Sequence, residues 1–369
     1  MKDESQKYDT INYHSYLALD QLLSAQQLRS VELDGKAAHD EMLFIVVHQA
    51  YELWFKQIIF ELESVLKHFR TDDVDERKIG TDVARLNRII QIQQLLIDQI
   101  AIMETMTPLD FLDFRNYLFP ASGFQSFQFR MIENLLGLQE WRRITYNGAP
   151  YYSVFSEEQQ AALKTATAHG SLFDAVEDWL ERTPFIELED FDFLESYRKA
   201  VDRMLDKEQK AIKATPYLDE EEKAMRLTML GNTDTYFESV LNKEHHDALR
   251  REGKLRLSYD ATVAALFINL YREQPILQLP FQLLTCFIEI DQNMTRWRYR
   301  HAQMVLRMLG NKVGTGGSSG HEYLSTTAQR HHIFKDLHNI STLLIPRSEL
   351  PVLPPKIVKA LGFYFTTKN

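Results

Sequence analysis

Cysteine, proline and glycine are scarce in this chain of 369 residues. The one cysteine, Cys286, excludes an intrachain disulfide and a thiolate metal cluster. It lies in the apolar run 283–288, so we expect it to be a small core residue. Eleven prolines and fourteen glycines are few for this length. This composition argues against a β-rich or disordered chain and favours long helices.

A surplus of positive charge and long apolar runs are also missing. The formal net charge is −10, and an acidic surface of this kind repels phosphate backbones, so we expect no nucleic-acid partner. No stretch reaches the roughly 18 uncharged apolar residues that a membrane span needs. Residues 1–8 are polar and lack the apolar segment of a secretory signal. The sequence therefore predicts a soluble cytoplasmic protein without a membrane partner.

Apolar residues recur at helical spacing almost throughout the chain. This pattern predicts an all-α fold, a helical bundle with a buried pocket between its long helices. We expect one domain over residues 1–369, in which the charge-dense block at about 150–255 is a helical elaboration packed on the core. The predicted helices cover residues 37–70, 74–105, 108–115, about 127–135, 156–168, 171–183, 190–212, 218–250, 280–310 and 324–340.

Two histidines, His48 and His301, lie on the apolar faces of two long predicted helices. A buried imidazole is costly unless its nitrogens find partners. Each of them could be a core histidine bonded to a backbone carbonyl. For His301 the alternative is an axial haem ligand in an apolar, methionine-rich wall. A di-iron site would need Glu-x-x-His pairs, and no histidine here has a glutamate three residues before it. We interpret the cluster at 244–247, Glu-His-His-Asp, as a solvated surface.

Arg115 follows Phe111 by one helical turn and is surrounded in sequence by aromatic residues. It is either a structural cation–π residue or a clamp for a substrate carboxylate, which its two parallel N–H donors suit. The glycine-rich segment 314–320 follows a helix and lacks the Gly-Lys-Ser/Thr ending of a phosphate loop. We expect this segment to offer amide and hydroxyl donors to a small polar ligand.

Three segments together resemble the tryptophan 2,3-dioxygenase family: 44–57, 111–126, and 297–301 with 314–320. The resemblance runs in the same order from Tyr13 to Pro346. It implies an all-helical haem b protein, ferrous when active, that is usually a homotetramer, a dimer of dimers with exchanged N-terminal arms. The family inserts both atoms of O2 across the indole C2–C3 bond of L-tryptophan. The product is N-formylkynurenine, in the first step of tryptophan catabolism by the kynurenine pathway.

The resemblance also implies roles for individual residues. His301 matches the proximal haem ligand, the only protein ligand to iron, and His48 matches the histidine that hydrogen-bonds the indole N–H. The remaining matches are Phe44 and Phe111 as aromatic walls, Ile45, Val46 and Val47 as pocket neighbours, Arg115 as the carboxylate clamp, Thr315 as a contact for the ammonium and carboxylate, Ser122 as a small residue near the haem, and Tyr13 and Tyr16 as the arm that closes a neighbouring subunit's pocket.

Two departures and two competing functions accompany this resemblance. The Phe111 position is tyrosine in some bacterial members of the family, and the block at 150–250 is longer than in the shortest bacterial relatives, which leaves its role open. His321 follows the loop where other members often carry tyrosine, and we assign it no function. A haem protein acting on another indole, or serving as a sensor or carrier, would need no carboxylate clamp. A haem-free helical scaffold is the third possibility.

The indole N–H is only weakly acidic, so we interpret His48 as an orienting partner and not as an obligatory base.

Overall fold

The computed structural model describes residues 11–71, 73–144, 150–184, 186–188, 191–310, 312 and 320–362. These residues form an all-α fold, with one short antiparallel ladder in which β1 (Glu187–Leu188) pairs with β2 (Phe191–Asp192). The α-helices are α1 (Tyr13–Tyr16), α2 (Leu19–Leu23), α3 (Arg29–Asp34), α4 (His39–Phe69), α5 (Ile79–Met103), α6 (Pro108–Arg115), α7 (Phe127–Leu136), α8 (Glu157–Ala168), α9 (Leu172–Glu181), α10 (Phe193–Ala214), α11 (Glu220–Leu241), α12 (Lys243–Arg251), α13 (Tyr259–Leu270), α14 (Gln278–Leu309), α15 (Gly320–Arg330), α16 (Lys335–Asn339) and α17 (Pro355–Leu361).

The three longest helices, α4, α5 and α14, form the centre of the fold. Helix α14 packs along α5 and α15, and α4 packs against α5 and α7. Their apolar faces build one large core, from Phe55 and Leu62 on α4 to Leu283 and Phe287 on α14. Helices within 150–255 add Tyr197 and other side chains to this same core. That packing is the arrangement we expect of an elaboration on the core, and the single-domain division stays a prediction.

Three helix predictions differ from the structure. The predicted helix 218–250 is interrupted at Asn242, whose side chain accepts a hydrogen bond from the His245 N–H and caps α12. The predicted helix 324–340 is interrupted after α15, because the Ile333 N–H donates to Asp291 Oδ1 at 2.9 Å instead of to a helical carbonyl. Helix α13 was not predicted, since it is buried on nearly every side and shows no amphipathic period.

The 244–247 cluster is not wholly solvated, so that interpretation was wrong for His246. The residue is buried, and its two ring nitrogens lie 2.8 Å from the Ser239 carbonyl oxygen and 3.0 Å from that of Leu257. These partners come from α11, which carries Ser239, and from the segment before α13, which carries Leu257, and no local pattern reveals them. Cys286 is buried in the core as predicted, and burial raises the pKa of its thiol to about 11.

The helices also differ from membrane-spanning segments. Among the described residues, no helix is both long and apolar enough to cross a membrane. The cytoplasmic location stays a prediction.

Candidate active site

Aromatic side chains of α4 and α6 form one wall of the site beside His48. The rings of Phe44 and His48 lie 4.1 Å apart between centroids, one helical turn from each other on α4. Phe111 of α6 lies 5.9 Å from Phe44 and meets Phe114 edge-on at 5.4 Å. The predicted wall residues Phe44 and Phe111 are therefore brought together from two helices, with Phe114 buried behind them.

A small apolar cluster, separate from the main core, surrounds this wall. We call it the pocket cluster; its buried members are Val47, Met103, Met106, Phe114 and Met308. It joins α4, the end of α5, α6 and the last turns of α14. Of the three predicted pocket neighbours on α4, Val47 lies inside this cluster. Ile45 is half-buried and Val46 is 46% exposed, so the structure does not bring those two into it.

The hydrogen bond of His48 defines the tautomer of its ring. Its Nδ1 lies 2.7 Å from the carbonyl oxygen of Phe44, and because a carbonyl can only accept, Nδ1 carries the proton. In the neutral ring, Nε2 is then a hydrogen-bond acceptor. The residue is exposed to solvent, yet the surrounding protein desolvates the ring enough to lower its pKa. His48 is thus a neutral imidazole, and among the described residues no donor bonds to its Nε2.

His301 lies on the inner face of α14 and is also neutral. Burial, together with a smaller electrostatic contribution from His48, lowers its pKa to about 4, so the two imidazoles lie within electrostatic range of each other. The imidazole stacks on Trp297, with centroids 5.1 Å apart and planes 10° from parallel. Its Nδ1 is buried and finds no hydrogen-bond partner among the described residues.

Arg115 is the last residue of α6, and the start of that helix is strongly defined. The Thr107 hydroxyl accepts from the Asp110 N–H, Asp110 caps Thr107 in return, and Pro108 occupies the first helical position. This cap fixes where α6 begins and therefore where Arg115 ends it. The Arg115 side chain is half-buried and interacts with another residue of the chain.

The other predicted polar contacts have different outcomes. Ser122 is half-buried and caps a 3-10 helix, Gly123–Gln125, where its hydroxyl accepts from the Phe124 N–H. Ser122 therefore has a structural role of its own in the loop after α6. Thr315 and the glycine-rich segment before Gly320 lie outside the described residues.

The N-terminal residues Tyr13 and Tyr16 are far more exposed than the rest of the site. Both belong to α1 and are 76% and 73% exposed. Neither α1 nor α2 buries any residue against the chain. Within one copy of the chain, the structure does not bring these tyrosines onto the pocket cluster.

A charge network behind His301 was missed by the sequence analysis. Glu133 of α7 is fully buried and binds Arg143 at 2.5 Å, Arg298 at 2.8 Å and Arg130 at 2.9 Å. Burial alone would raise the pKa of this carboxyl, but the three guanidinium groups hold it well below its usual range. Arg298 precedes His301 by one helical turn, so the network anchors this part of α14 to α7. Its members are dispersed in sequence and give no local signal.

The residues in place fit a haem group. A histidine that ligates haem iron must be neutral and held in a largely apolar wall. His301 is neutral, and Met304 and Met308, one and two turns further along α14, contribute to the pocket cluster. Trp297 stacks on the face of its ring, and the buried Nδ1 has no hydrogen-bond partner among the described residues, as a ring nitrogen does where its partner is a group that the protein does not itself supply. Histidine is one of the residues that hold haem iron, so these two neutral imidazoles beside an aromatic wall are compatible with a haem-dependent oxidoreductase.

Comparisons with known proteins are consistent with this class. The family model described as tryptophan 2,3-dioxygenase matches residues 2–344. A tryptophan 2,3-dioxygenase of Bdellovibrio bacteriovorus is 51% identical over 359 residues, covering 97% of this chain and 100% of the relative. Relatives of the same name from Alteromonas mediterranea and Xenopus laevis are each 48% identical; they cover 95% of this chain and are themselves covered to 97% and 86%. The chain belongs to the tryptophan 2,3-dioxygenase family.

Family membership confirms several predictions made from the sequence. The chain is an oxidoreductase of the dioxygenase type, as its three motif segments predicted. Membership also implies a haem cofactor and O2. The roles of individual residues go beyond the family match, and they are the subject of the proposal that follows.

Proposed function

We propose that the pocket between α4, α6 and α14 binds haem b, ferrous when active, and L-tryptophan. In this proposal the chain inserts both atoms of O2 across the indole C2–C3 bond and yields N-formyl-L-kynurenine. His301 would hold the haem iron as its only protein ligand. The observation that carries the proposal is the pair of neutral imidazoles, one on α4 and one on α14, next to the facing rings of Phe44 and Phe111.

The haem, when bound, supplies the binding and activation of O2. The protein has to orient the substrate and exclude water. Phe44 and Phe111 provide apolar faces against which an indole can pack. His48 Nε2 accepts the hydrogen bond of the indole N–H, because Nδ1 already donates to the Phe44 carbonyl oxygen. This single acceptor fixes which edge of the indole points toward α4.

The amino-acid end of the substrate needs a separate contact. Arg115 grips the carboxylate with two parallel N–H donors, a geometry that a guanidinium provides and an ammonium does not. Its place at the end of α6, one turn after Phe111, supports this role. Thr315 would contact the ammonium and carboxylate of the substrate, and Ser122 would be a small residue near the haem. Both of these roles rest on motif position.

The assembly in this proposal is a homotetramer, a dimer of dimers, in which each N-terminal arm closes a neighbouring pocket. The support is that α1 and α2 expose apolar residues that one copy of the chain leaves uncovered. Burying an aromatic side chain of this size stabilises an interface by about 1.5–3 kcal/mol. Tyr13 and Tyr16 therefore have reason to dock on a second copy.

One experiment tests the proposed reaction. The purified protein is reduced anaerobically and mixed with L-tryptophan and 18O2, and the product is identified by absorbance and mass. The proposal expects N-formylkynurenine that carries two 18O atoms. Incorporation of one atom, or turnover of indole at a rate equal to that of L-tryptophan, would favour the alternative of a haem oxygenase for another indole.

A further inference from the structure

Helix α3 connects the two elements that carry the proposed substrate contacts. It lies between the first turn of α4, which leads to Phe44 and His48, and the 3-10 helix Asn116–Leu118, which directly follows Arg115. No residue of α3 has a role predicted from the sequence. Side-chain hydrogen bonds fix both ends of α3.

The N-terminal end of α3 is fixed by Glu41 of α4, which is 1% exposed. One carboxylate oxygen accepts from the Arg29 N–H at 2.7 Å, and the other accepts from the Ser30 N–H at 3.0 Å and the Ser30 hydroxyl at 2.5 Å. Ser30 Oγ in turn accepts from the Ala38 N–H at 3.0 Å. A carboxylate bonded to free amide groups at a helix start is a strong, charge-assisted contact, so α3 and α4 are joined firmly.

The C-terminal end of α3 is fixed by Asp34. The hydroxyl of Tyr117 donates to the Asp34 carboxylate, so α3 holds the 3-10 helix that follows α6. The ring of Tyr117 packs against the pocket cluster at the same time. Gly35, with φ of 68°, ends α3 immediately after this contact in a left-handed conformation that a side chain would strain. Tyr117 lies two residues from Arg115.

We infer that Tyr117 and Asp34 are positioning residues for Arg115, and through it for the carboxylate of the amino-acid substrate. The inference rests on the proposed role of Arg115. A bidentate contact is sensitive to shifts below 1 Å, because both N–H donors must meet their oxygens together. The backbone of residues 115–117 is continuous between α6 and the 3-10 helix. Releasing Tyr117 therefore displaces the base of the Arg115 side chain, while His48 and His301 keep their places.

The test compares Tyr117→Phe and Asp34→Ala with wild type in the haem-loaded enzyme. Each variant should raise KM for L-tryptophan about tenfold, the size of one hydrogen bond to a charged acceptor, and leave kcat within about twofold. The affinity for tryptamine, which lacks the carboxylate, should stay unchanged when measured from the Soret band. Tyr271→Phe is the matched control, because its hydroxyl donates to the Pro351 carbonyl oxygen at 2.8 Å outside the site; it should change neither KM nor tryptamine affinity.

An Arg115→Leu background separates this inference from the proposed function. If Arg115→Leu leaves KM unchanged, the proposed clamp itself is wrong. If Arg115→Leu raises KM but Tyr117→Phe and Asp34→Ala do not, the clamp stands and the positioning role is wrong. The inference expects Tyr117→Phe to add no further rise in KM once Arg115 is gone. A drop in kcat and haem content without a rise in KM would indicate a merely structural contact and would overturn it.

Discussion

Truncating His48 to alanine should weaken tryptophan binding without abolishing the reaction. The structure gives the magnitude, because the ring offers the substrate one acceptor, Nε2, while Nδ1 is committed to the Phe44 carbonyl oxygen at 2.7 Å. One neutral hydrogen bond contributes about 0.5–1.5 kcal/mol net. At about 1.4 kcal/mol per factor of ten, His48→Ala should weaken the binding of L-tryptophan by roughly 2- to 12-fold.

The assay for His48 combines equilibrium titration of tryptophan with steady-state formation of N-formylkynurenine. The substrate 1-methyl-tryptophan has no indole N–H, so it should react poorly with wild type and gain relative to tryptophan in His48→Ala. His169→Ala is a matched control: His169 Nδ1 also bonds the carbonyl oxygen four residues earlier, at 2.8 Å, but at the exposed end of α8. It should leave both substrates unaffected.

One outcome would refute the orienting role of His48. If His48→Ala loses all activity while its haem content and tryptophan affinity match wild type, the imidazole is required in the chemical step. His48 would then be an obligatory proton acceptor, and the neutral Nε2 lone pair would serve catalysis rather than orientation.

Three further predictions address the clamp, the buried charges and the arm. Arg115→Leu should lower kcat/KM for L-tryptophan about 30-fold or more, since losing one partner of a buried charged pair costs about 2–5 kcal/mol; equal turnover of tryptamine and tryptophan by wild type would contradict this. Glu133→Gln should lower the free energy of unfolding by about 3–5 kcal/mol in urea titrations, because three guanidinium groups lose their carboxylate. The Glu133 pKa is held below its usual 4.5, so the contribution of Glu133 to the free energy of unfolding is complete above pH 4.5 and is lost as the pH falls through the lowered pKa. If the free energy of unfolding depended on acid pH in the same way in Glu133→Gln and wild type, this prediction would be wrong. Tyr13→Ala with Tyr16→Ala should yield a smaller assembly by light scattering and a higher KM, and an unchanged assembly would remove these tyrosines from the interface.

Sequence periodicity predicted the elements that form the site. Helical periodicity predicted the helices that carry His48 and His301, α4 and α14, and the Thr107–Pro108 cap predicted the start of α6. These features are local, so they follow from helix geometry alone. The pairing of Phe44 with Phe111 was expected only through the family resemblance, because nothing local relates α4 to α6.

Long-range polar contacts were not predictable from the sequence. Glu133 forms ion pairs with arginines from α7, α14 and the segment before α8. The hydroxyl of Tyr117 donates a hydrogen bond to Asp34. Polar side chains of these types are mostly exposed, so a pattern of residues gives no reason to bury them. His246 was assigned to the surface for the same reason, and its carbonyl partners come from two different segments.

The haem content of a His301 variant tests the central claim most directly. His301→Ala, purified alongside wild type and supplied with haem, is measured by its Soret spectrum and by haem-to-protein stoichiometry. We expect the variant to lose stoichiometric haem binding while keeping its helical circular dichroism, because His301 is the proposed sole protein ligand to iron. A His301→Ala protein with wild-type haem content and an unchanged spectrum would contradict that claim.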